Sequence, residues 1–348
     1  MPGLTNMQSS RVLFLQPRPY FEELLGCDFD EGITAVFGIC FSLNVSKHLS
    51  KFDLVVSCLD HDISCRKLCE IAEGIGIPTA YFMDGIYDND NAKNSWVFKK
   101  NNTIQFGVDC YTFIFTPSPK SIEKLNLKSV VFKYIPMRVH YLVSQDEGNR
   151  RDILITTANT PYFDELEKES LISLLTRLIV FLDAASLPYK LRLFDGDLLK
   201  AVSDRLGYLP KNYTNSNFED YAYSGLYLFS TISSVFVPFN QQGGVTIELS
   251  HRSKSSTEDF VDYSIGNEFS LRDLENIFKI VPNFSSCSEK LVDMKFLVDE
   301  ALSVERNLNT SSSNIFPKFY LNFNFVYRYV YKVFKINKYK KQLLRFLN

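Results

Sequence analysis

Tryptophan occurs once in the 348 residues, at Trp96, and histidine only four times. No GxxxxGKS/T loop is present, and no GxGxxG follows an apolar run. Those glycine loops cradle phosphates, so nucleotide hydrolysis and a dinucleotide cofactor are both disfavoured. No apolar stretch reaches the roughly 18 residues of a spanning helix. The opening MPGLTNMQSS has neither the basic nor the apolar region of a secretory signal. Cys65 and Cys69 share a helical face, but no second Cys/His pair follows at zinc-ligand spacing. Most of the seven cysteines lie among apolar neighbours and read as buried free thiols of a reducing, cytosolic compartment. No metal or cofactor is expected. A net charge of -2 gives no footing for nucleic-acid binding.

What is present suits a large folded core. Hydrophobic residues make up 45% of the chain and charged residues 22%, with 30 Phe and 19 Tyr, the composition of a globular protein. The length fits two domains of roughly 150 residues each. Charge is unevenly spread. Residues 315–348 hold eight Lys or Arg and no acid, so the preceding residues carry 30 basic against 40 acidic side chains.

Apolar runs alternate with helical patterns along the first half. RVLFLQP (11–17), FDLVVSCL (52–59), TAYFMDG (79–85), YTFIFTP (111–117) and SVVFKYIP (129–136) read as strands. Leu68, Ile71, Ala72 and Ile75 recur at helical spacing until Gly74 and Gly76 interrupt. VSQDEGNRRD (143–152) reads as a linker, after which the rhythm restarts. DILITTANT is a strand and loop. Leu171, Leu174, Leu175, Leu178, Ile179 and Leu182 form the strongest helical stripe in the chain. YKLRLFDGD (189–197), GLYLFSTISS (225–234) and GGVTIEL (243–249) supply further strands, and helices are expected near 271–280 and 288–306. Continuous apolar runs between amphipathic helices predict parallel sheets covered on both faces. The expected architecture is α/β, with two Rossmann-like doubly wound domains, 1–142 and 153–314, facing a cleft. A basic-aromatic helical tail, 315–348, follows. Ligands of such sheets bind at the carboxyl ends of the strands.

Several strand ends carry polar residues. In MDGIYDNDNAKNSW, Asp84 and Gly85 end a buried run and lead into a loop of Asp and Asn residues that closes on Trp96. Asp84 either caps its own loop or faces a hydroxyl-rich ligand, with Gly85 permitting a tight, left-handed turn and Asn91 and Trp96 as ligand contacts. In SCLDHDISC, Asp60 and His61 follow an apolar run. His61 is either structural or a general base poised near neutral pH, and Asp62 is a helix N-cap. LFSTISS ends a strand in hydroxyls, so Thr231, Ser233 and Ser234 either cap a helix or hold an anion. TTANTPYF offers Asn159 in a similar place. Lys190 and Arg192 share one face of a strand, where they either clamp a diphosphate or protect a sheet edge. DND (88–90) has the spelling of a metal motif but falls inside a loop.

The segments IPTAYFMDGIYDNDNAKNSW, FTPSPKSIEKLNLKSVVFKYIP, ILITTANTPYFDELEKESL and STISSVFVPFNQQGGVTIEL resemble GT-B glycosyltransferases of bacterial surface-polysaccharide assembly, over about residues 50–250. The Asp-Gly loop is similar to that of transferases using CMP-activated Kdo, and this resemblance implies a catalytic role for Asp84. Those enzymes carry a His-Pro pair where this chain reads LFDGD, which leaves the donor open among CMP-Kdo-like, UDP-, GDP- and dTDP-sugars. The resemblance implies transfer from a nucleotide-sugar donor to a lipid-linked or oligosaccharide acceptor, and metal independence is expected because helix ends and cations can neutralise the phosphate and no Asp-x-Asp motif ends a strand. A non-catalytic glycan-binding scaffold and a sugar-nucleotide epimerase share the architecture. The segment 316–348 interleaves eleven aromatics with eight cations. It predicts either contact with an anionic inner-membrane surface, lipopolysaccharide or capsule assembly being the setting, or a final helix crossing the core.

Overall fold

The computed structural model describes residues 9–280 apart from 27–28, 30–31, 40–43, 101, 108, 138–151, 159, 216–224, 242 and 253–259. The sequence expectations for residues 143–151, Asn159, the helix at 288–306, the tail 315–348 and Cys27, Cys40 and Cys287 therefore fall outside the described residues.

Six strands form the first sheet: β1 (Ser10–Phe14), β2 (Ile33–Phe37), β3 (Leu54–Ser57), β4 (Thr79–Phe82), β5 (Phe113–Thr116) and β6 (Val130–Lys133). Their order is β2-β1-β3-β4-β5-β6 and every pairing is parallel. Around them lie α1 (Arg18–Leu25), α2 (Val45–Leu49), α3 (Ile63–Gly74), α4 (Asn89–Asn94), α5 (Trp96–Lys100) and α6 (Pro119–Glu123). The second sheet has β7 (Asp152–Thr156), β8 (Tyr189–Arg192), β9 (Gly225–Ser230), β10 (Val245–Leu249) and β11 (Tyr263–Ile265), all parallel, in the order β11-β10-β9-β7-β8. Its helices are α7 (Glu165–Ala184), α8 (Gly196–Leu206), α9 (Phe236–Gln241) and α10 (Leu271–Ile277).

Numbered within its own half, each sheet starts 2-1-3-4-5. The chain lays a second strand on one side of the first and then returns to the other side, the flavodoxin-like arrangement. The two halves thus share a topology that no sequence repeat announces.

Strand alternation explains why the apolar runs are continuous. Leu13, Val55, Tyr81 and Ile114 pack on one face of the first sheet with Leu68, Ile71 and Ala72 of α3. Their neighbours Phe14, Val56, Phe82 and Phe115 pack on the other face with Phe21, Leu24 and Leu25 of α1. In the second half the six-residue stripe of α7 is fully buried against Ile153, Ile155, Leu191, Phe229 and Ile247. Asp164 starts that helix with a reciprocal capping box to Glu167, satisfying two groups that a helix start otherwise leaves open.

Three expectations change. The edge strands β2 and β11 were not expected; both are short, with partly exposed residues, so neither presents a buried apolar run. YKLRLFDGD is a strand only to Arg192, because Asp195 caps α8 by accepting from the N–H groups of Asp197 and Leu198. Gly85 is not among the residues with positive φ, so the turn after β4 is not left-handed there. The N-cap role expected of Asp62 is present, its Oδ1 accepting from the Ser64 N–H at 2.9 Å.

Candidate functional site

In both halves the crevice beside the first strand, where ligands of open sheets usually sit, is zipped by polar side chains. In the first half Gln16 donates to Cys65 Sγ at 3.1 Å and accepts from the Cys58 N–H at 3.1 Å. In the second, Thr231 Oγ1 accepts from the Ala158 N–H at 2.8 Å and donates to the Ala158 carbonyl at 3.0 Å. Thr231 is buried, and the one proton of its hydroxyl is used within the protein.

The open space lies beyond β3 and β4. A cavity of about 370 Å³ is lined by His61, Asp84, Asp88, Asn91, Ser95 and Phe98, among others, and by Tyr162 from the second half. All four residues of β4 are buried and Met83 continues inward. The chain then turns, leaving Asp84 exposed. Ile86 packs against the apolar cluster of Leu154, Leu228, Phe236 and Phe239 in the second half. The Tyr87 N–H donates to Ser118 Oγ at 3.1 Å. Asp88 caps α4, its Oδ1 accepting from the N–H groups of Asp90 and Asn91 at 3.0 and 3.1 Å. The Asp/Asn-rich spelling of this loop is thus partly capping chemistry, and Asp88 of DND serves that purpose.

Arg252 holds the loop to the second half. Its Nε donates to Glu167 Oε1 at 2.7 Å, its Nη1 to Asp88 Oδ2 at 3.1 Å and its Nη2 to Asn91 Oδ1 at 2.8 Å. Its side chain is 8% exposed, and its guanidinium lies 5.0 Å from the centre of the Phe163 ring. The carboxylates raise the Arg252 pKa further despite its burial. Glu167 meanwhile completes the capping box of α7 through Oε2. One carboxylate therefore links the start of a helix to the contact between domains.

The His251 ring lies tilted against the same ring, their centres 4.2 Å apart. Its Nδ1 faces the Leu249 carbonyl at 3.1 Å, so Nδ1–H donates there, and its buried Nε2 meets no hydrogen-bond partner among the described residues. Burial lowers its pKa from the ordinary 6.5 to about 4, with Arg252 acting in the same direction. Sequence reasoning passed over His251, Arg252 and Glu167. HRSKSSTED carries no periodic signal, and nothing local reveals that Arg252 meets residues more than 160 positions away.

The expected site residues separate into groups. Asp84, His61 and Asn91 meet in one cavity, and Gly85 is buried in the same loop. Asp60 does not line it. It is 1% exposed and accepts from Arg66 Nε and Nη2 at 3.1 and 2.8 Å, the Phe106 N–H at 3.1 Å and the Tyr111 hydroxyl at 2.7 Å. Its role is to tie α3 to the 104–111 loop. Trp96 is 63% exposed and outside the cavity, whereas Ser95, Val97 and Phe98 line it. Lys190 pairs with Asp152 at 2.6 Å, which draws its ammonium toward the amino end of the sheet. Arg192 ends β8, 4.5 Å from the Phe194 ring centre. Ser233 and Ser234 lead, half-buried, into α9. Neither they nor Arg192 line the cavity described.

Among the described residues, no group of three or more His, Cys, Asp or Glu is placed to hold a metal, and no helix is long and apolar enough to cross a membrane. Cys58, Cys65, Cys69 and Cys110 are buried free thiols, and burial raises the Cys69 pKa well above its ordinary value.

Two parallel, doubly wound sheets meeting at the carboxyl end of β4 define a GT-B-like fold, and solved structures share it. A Listeria monocytogenes protein assigned as a UDP-N-acetylglucosamine 2-epimerase superimposes with a TM-score of 0.51 at 10% identity, over 90% of this chain and 100% of its own. The UDP-GlcNAc 2-epimerase of Methanocaldococcus jannaschii, solved with UDP-GlcNAc and UDP, gives 0.51 at 11% identity, over 86% and 99%. No protein-family model and no curated protein sequence matches the chain.

Proposed function

We propose that the protein is a glycosyltransferase moving a sugar from a nucleotide-sugar donor to a bacterial surface-glycan acceptor. The observation that carries the reading is Asp84, a carboxylate exposed in a cavity where the two Rossmann-like halves meet, on a loop held by Ile86 and Arg252. In an inverting reaction Asp84 removes the proton of the acceptor hydroxyl. In a retaining one it attacks the anomeric carbon and the nucleotide leaves, after which the acceptor hydroxyl displaces Asp84 from the covalent intermediate and gives up its proton. His61 lines the same cavity as a second candidate for proton transfer. The donor's nucleotide falls to the second half, with Ser233, Ser234 and Arg192 at its carboxyl edge and Asn159 as a further candidate. The donor is CMP-Kdo-like or a UDP-, GDP- or dTDP-sugar. The chemistry asked of these residues needs no metal.

A panel of nucleotide sugars tests the proposal. The expected result is transfer or slow hydrolysis with one donor, and an Asp84→Asn variant that binds nucleotide but loses roughly 10²–10⁴-fold in rate. A variant keeping more than about a tenth of the activity removes Asp84 from the chemistry. Release of nucleotide with an altered free sugar identifies the second reading, an epimerase, which the UDP-GlcNAc 2-epimerases sharing the fold favour. No turnover of any donor favours a binding scaffold.

The basic-aromatic segment 316–348 supports peripheral contact with an anionic membrane, where each cation adds on the order of 1 kcal/mol. Full-length protein is expected to co-sediment with anionic vesicles and a chain ending at Asn314 to remain in solution. Equal partitioning of both forms rejects the contact.

A further inference from the structure

Resting on the transferase reading, we propose that the α4–α5 surface beside the cavity docks on an anionic membrane and presents that cavity to lipid-linked acceptors. Trp96, the one tryptophan of the chain, is 63% exposed at the start of α5. Lys99 and Lys100 follow it three and four residues later, which places all three on one side of the helix. Both lysines are exposed. Lys99 Nζ donates to Asn94 Oδ1 at 3.2 Å, which draws its ammonium toward α4, where Lys93 is 54% exposed. Asp90 lies 3.7 Å from Lys93, and no other Asp or Glu occurs before Asp109. An exposed indole and three exposed ammonium groups therefore gather at the α4–α5 joint.

Trp and Lys have complementary parts at a membrane surface. Indole rings settle at the headgroup level, where the ring is half in apolar surroundings and its N–H stays wet. Lysine stems lie along apolar surface while their ammonium groups meet lipid phosphate. The other side of the same helix belongs to the protein. Phe98 is buried, with the His61 ring centre 6.5 Å and the Arg66 guanidinium 6.0 Å from its own, and it lines the cavity with Ser95 and Val97. One short helix thus carries the indole on its outside and cavity wall on its inside. Lying at headgroup depth, it brings the cavity to the level where a lipid-linked sugar emerges. A glycan platform is the other use of an exposed indole. Sugar hydroxyls call for acceptors as well as donors around such a ring, and the side chains spaced to flank Trp96, Lys99 and Lys100, only donate. The segment 316–348 repeats the combination of aromatics and cations without an acid, the chemistry of the same partner.

Because Trp96 is the sole tryptophan, its fluorescence, excited beyond tyrosine absorption, reads this surface alone. The full chain is mixed with phosphatidylcholine vesicles with and without phosphatidylglycerol. The anionic vesicles are expected to shift Trp96 emission to shorter wavelength, and lipid brominated near the headgroup end of its acyl chains to quench it. Pure phosphatidylcholine is expected to do neither. Lys99→Glu combined with Lys100→Glu is expected to weaken vesicle binding at least about tenfold and to lessen the quenching. A full chain that sediments with anionic vesicles while Trp96 stays unshifted and unquenched overturns the inference and leaves membrane contact to residues 316–348. Absence of vesicle binding overturns it too, as does undiminished quenching in the double variant. So does an emission that ignores vesicles but responds to a neutral oligosaccharide, which assigns Trp96 to a glycan platform. A protein whose Trp96 enters anionic vesicles but that turns over no donor sinks only the transferase reading. One that glycosylates a soluble acceptor with Trp96 indifferent to vesicles sinks only this inference.

Discussion

Asp60 and Asp84 follow adjacent buried strands of one sheet, yet Asp60 is buried and Asp84 is exposed. Arg66 on α3 lies within reach of Asp60, and Tyr111 and the Phe106 N–H complete its acceptor capacity. The same scale of reasoning applies to His251, whose ring is buried against Phe163 with its Nδ1–H committed to the Leu249 carbonyl. Its pKa is about 4 in the folded protein against 6.5 ordinarily, so between those values the unfolded chain binds more protons. Stability is then full above pH 6.5 and falls as the pH drops toward 4, by roughly 3 kcal/mol in total at ~1.4 kcal/mol per unit. Glu167 and Asp164 nearby oppose the shift and are contained in that value. Denaturant midpoints between pH 7 and 4 are expected to show this loss, and His251→Asn to flatten it. An unaltered profile in the variant would assign the acid sensitivity to other groups.

At the scale of the element, α7 dominates the second half. Twenty residues long, it buries six apolar side chains along one stripe and carries the capping box at its start. Leu178 is fully buried among them. Leu178→Ala leaves a cavity in the layer between α7 and the second sheet and is expected to cost about 2–5 kcal/mol, read as a lower midpoint in urea. A cost under ~1 kcal/mol would mean that the layer collapses around the missing atoms. The stripe of α7 was legible because helical periodicity and burial coincide. The edge strands β2 and β11 were not, because a short strand with partly exposed residues has no run to recognise.

For the whole molecule, the decisive contact is Arg252 with Asp88, Asn91 and Glu167, which joins the two halves beside the candidate site. Arg252→Met keeps the apolar stem but leaves two carboxylates, 6% and 16% exposed, without their cation. Removing one partner of such a buried network is expected to cost about 3–5 kcal/mol. Adding Asp88→Asn and Glu167→Gln to Arg252→Met should recover most of it, because the buried charges are then gone. If Arg252→Met alone is as stable as the native chain, the halves do not depend on this contact. Small-angle scattering of the same variants reports whether the halves stay together.

The sequence by itself determined the class of fold and the address of Asp84. Strand and helix periodicities are local, each apolar run reports its own burial, and an acid followed by glycine at the end of such a run marks a strand end whatever lies opposite. Only the tertiary structure decided which polar residues share a space. Thr231 and Lys190 were indistinguishable in sequence from ligand-binding residues until Ala158 and Asp152 proved to occupy them. Trp96 and Phe98, two residues apart, differ in that one is exposed outside the cavity and the other lines it. Arg252 had no local signal at all. Its partners come from distant segments, and an ion pair is a property of distance in space, which spacing along a chain does not encode.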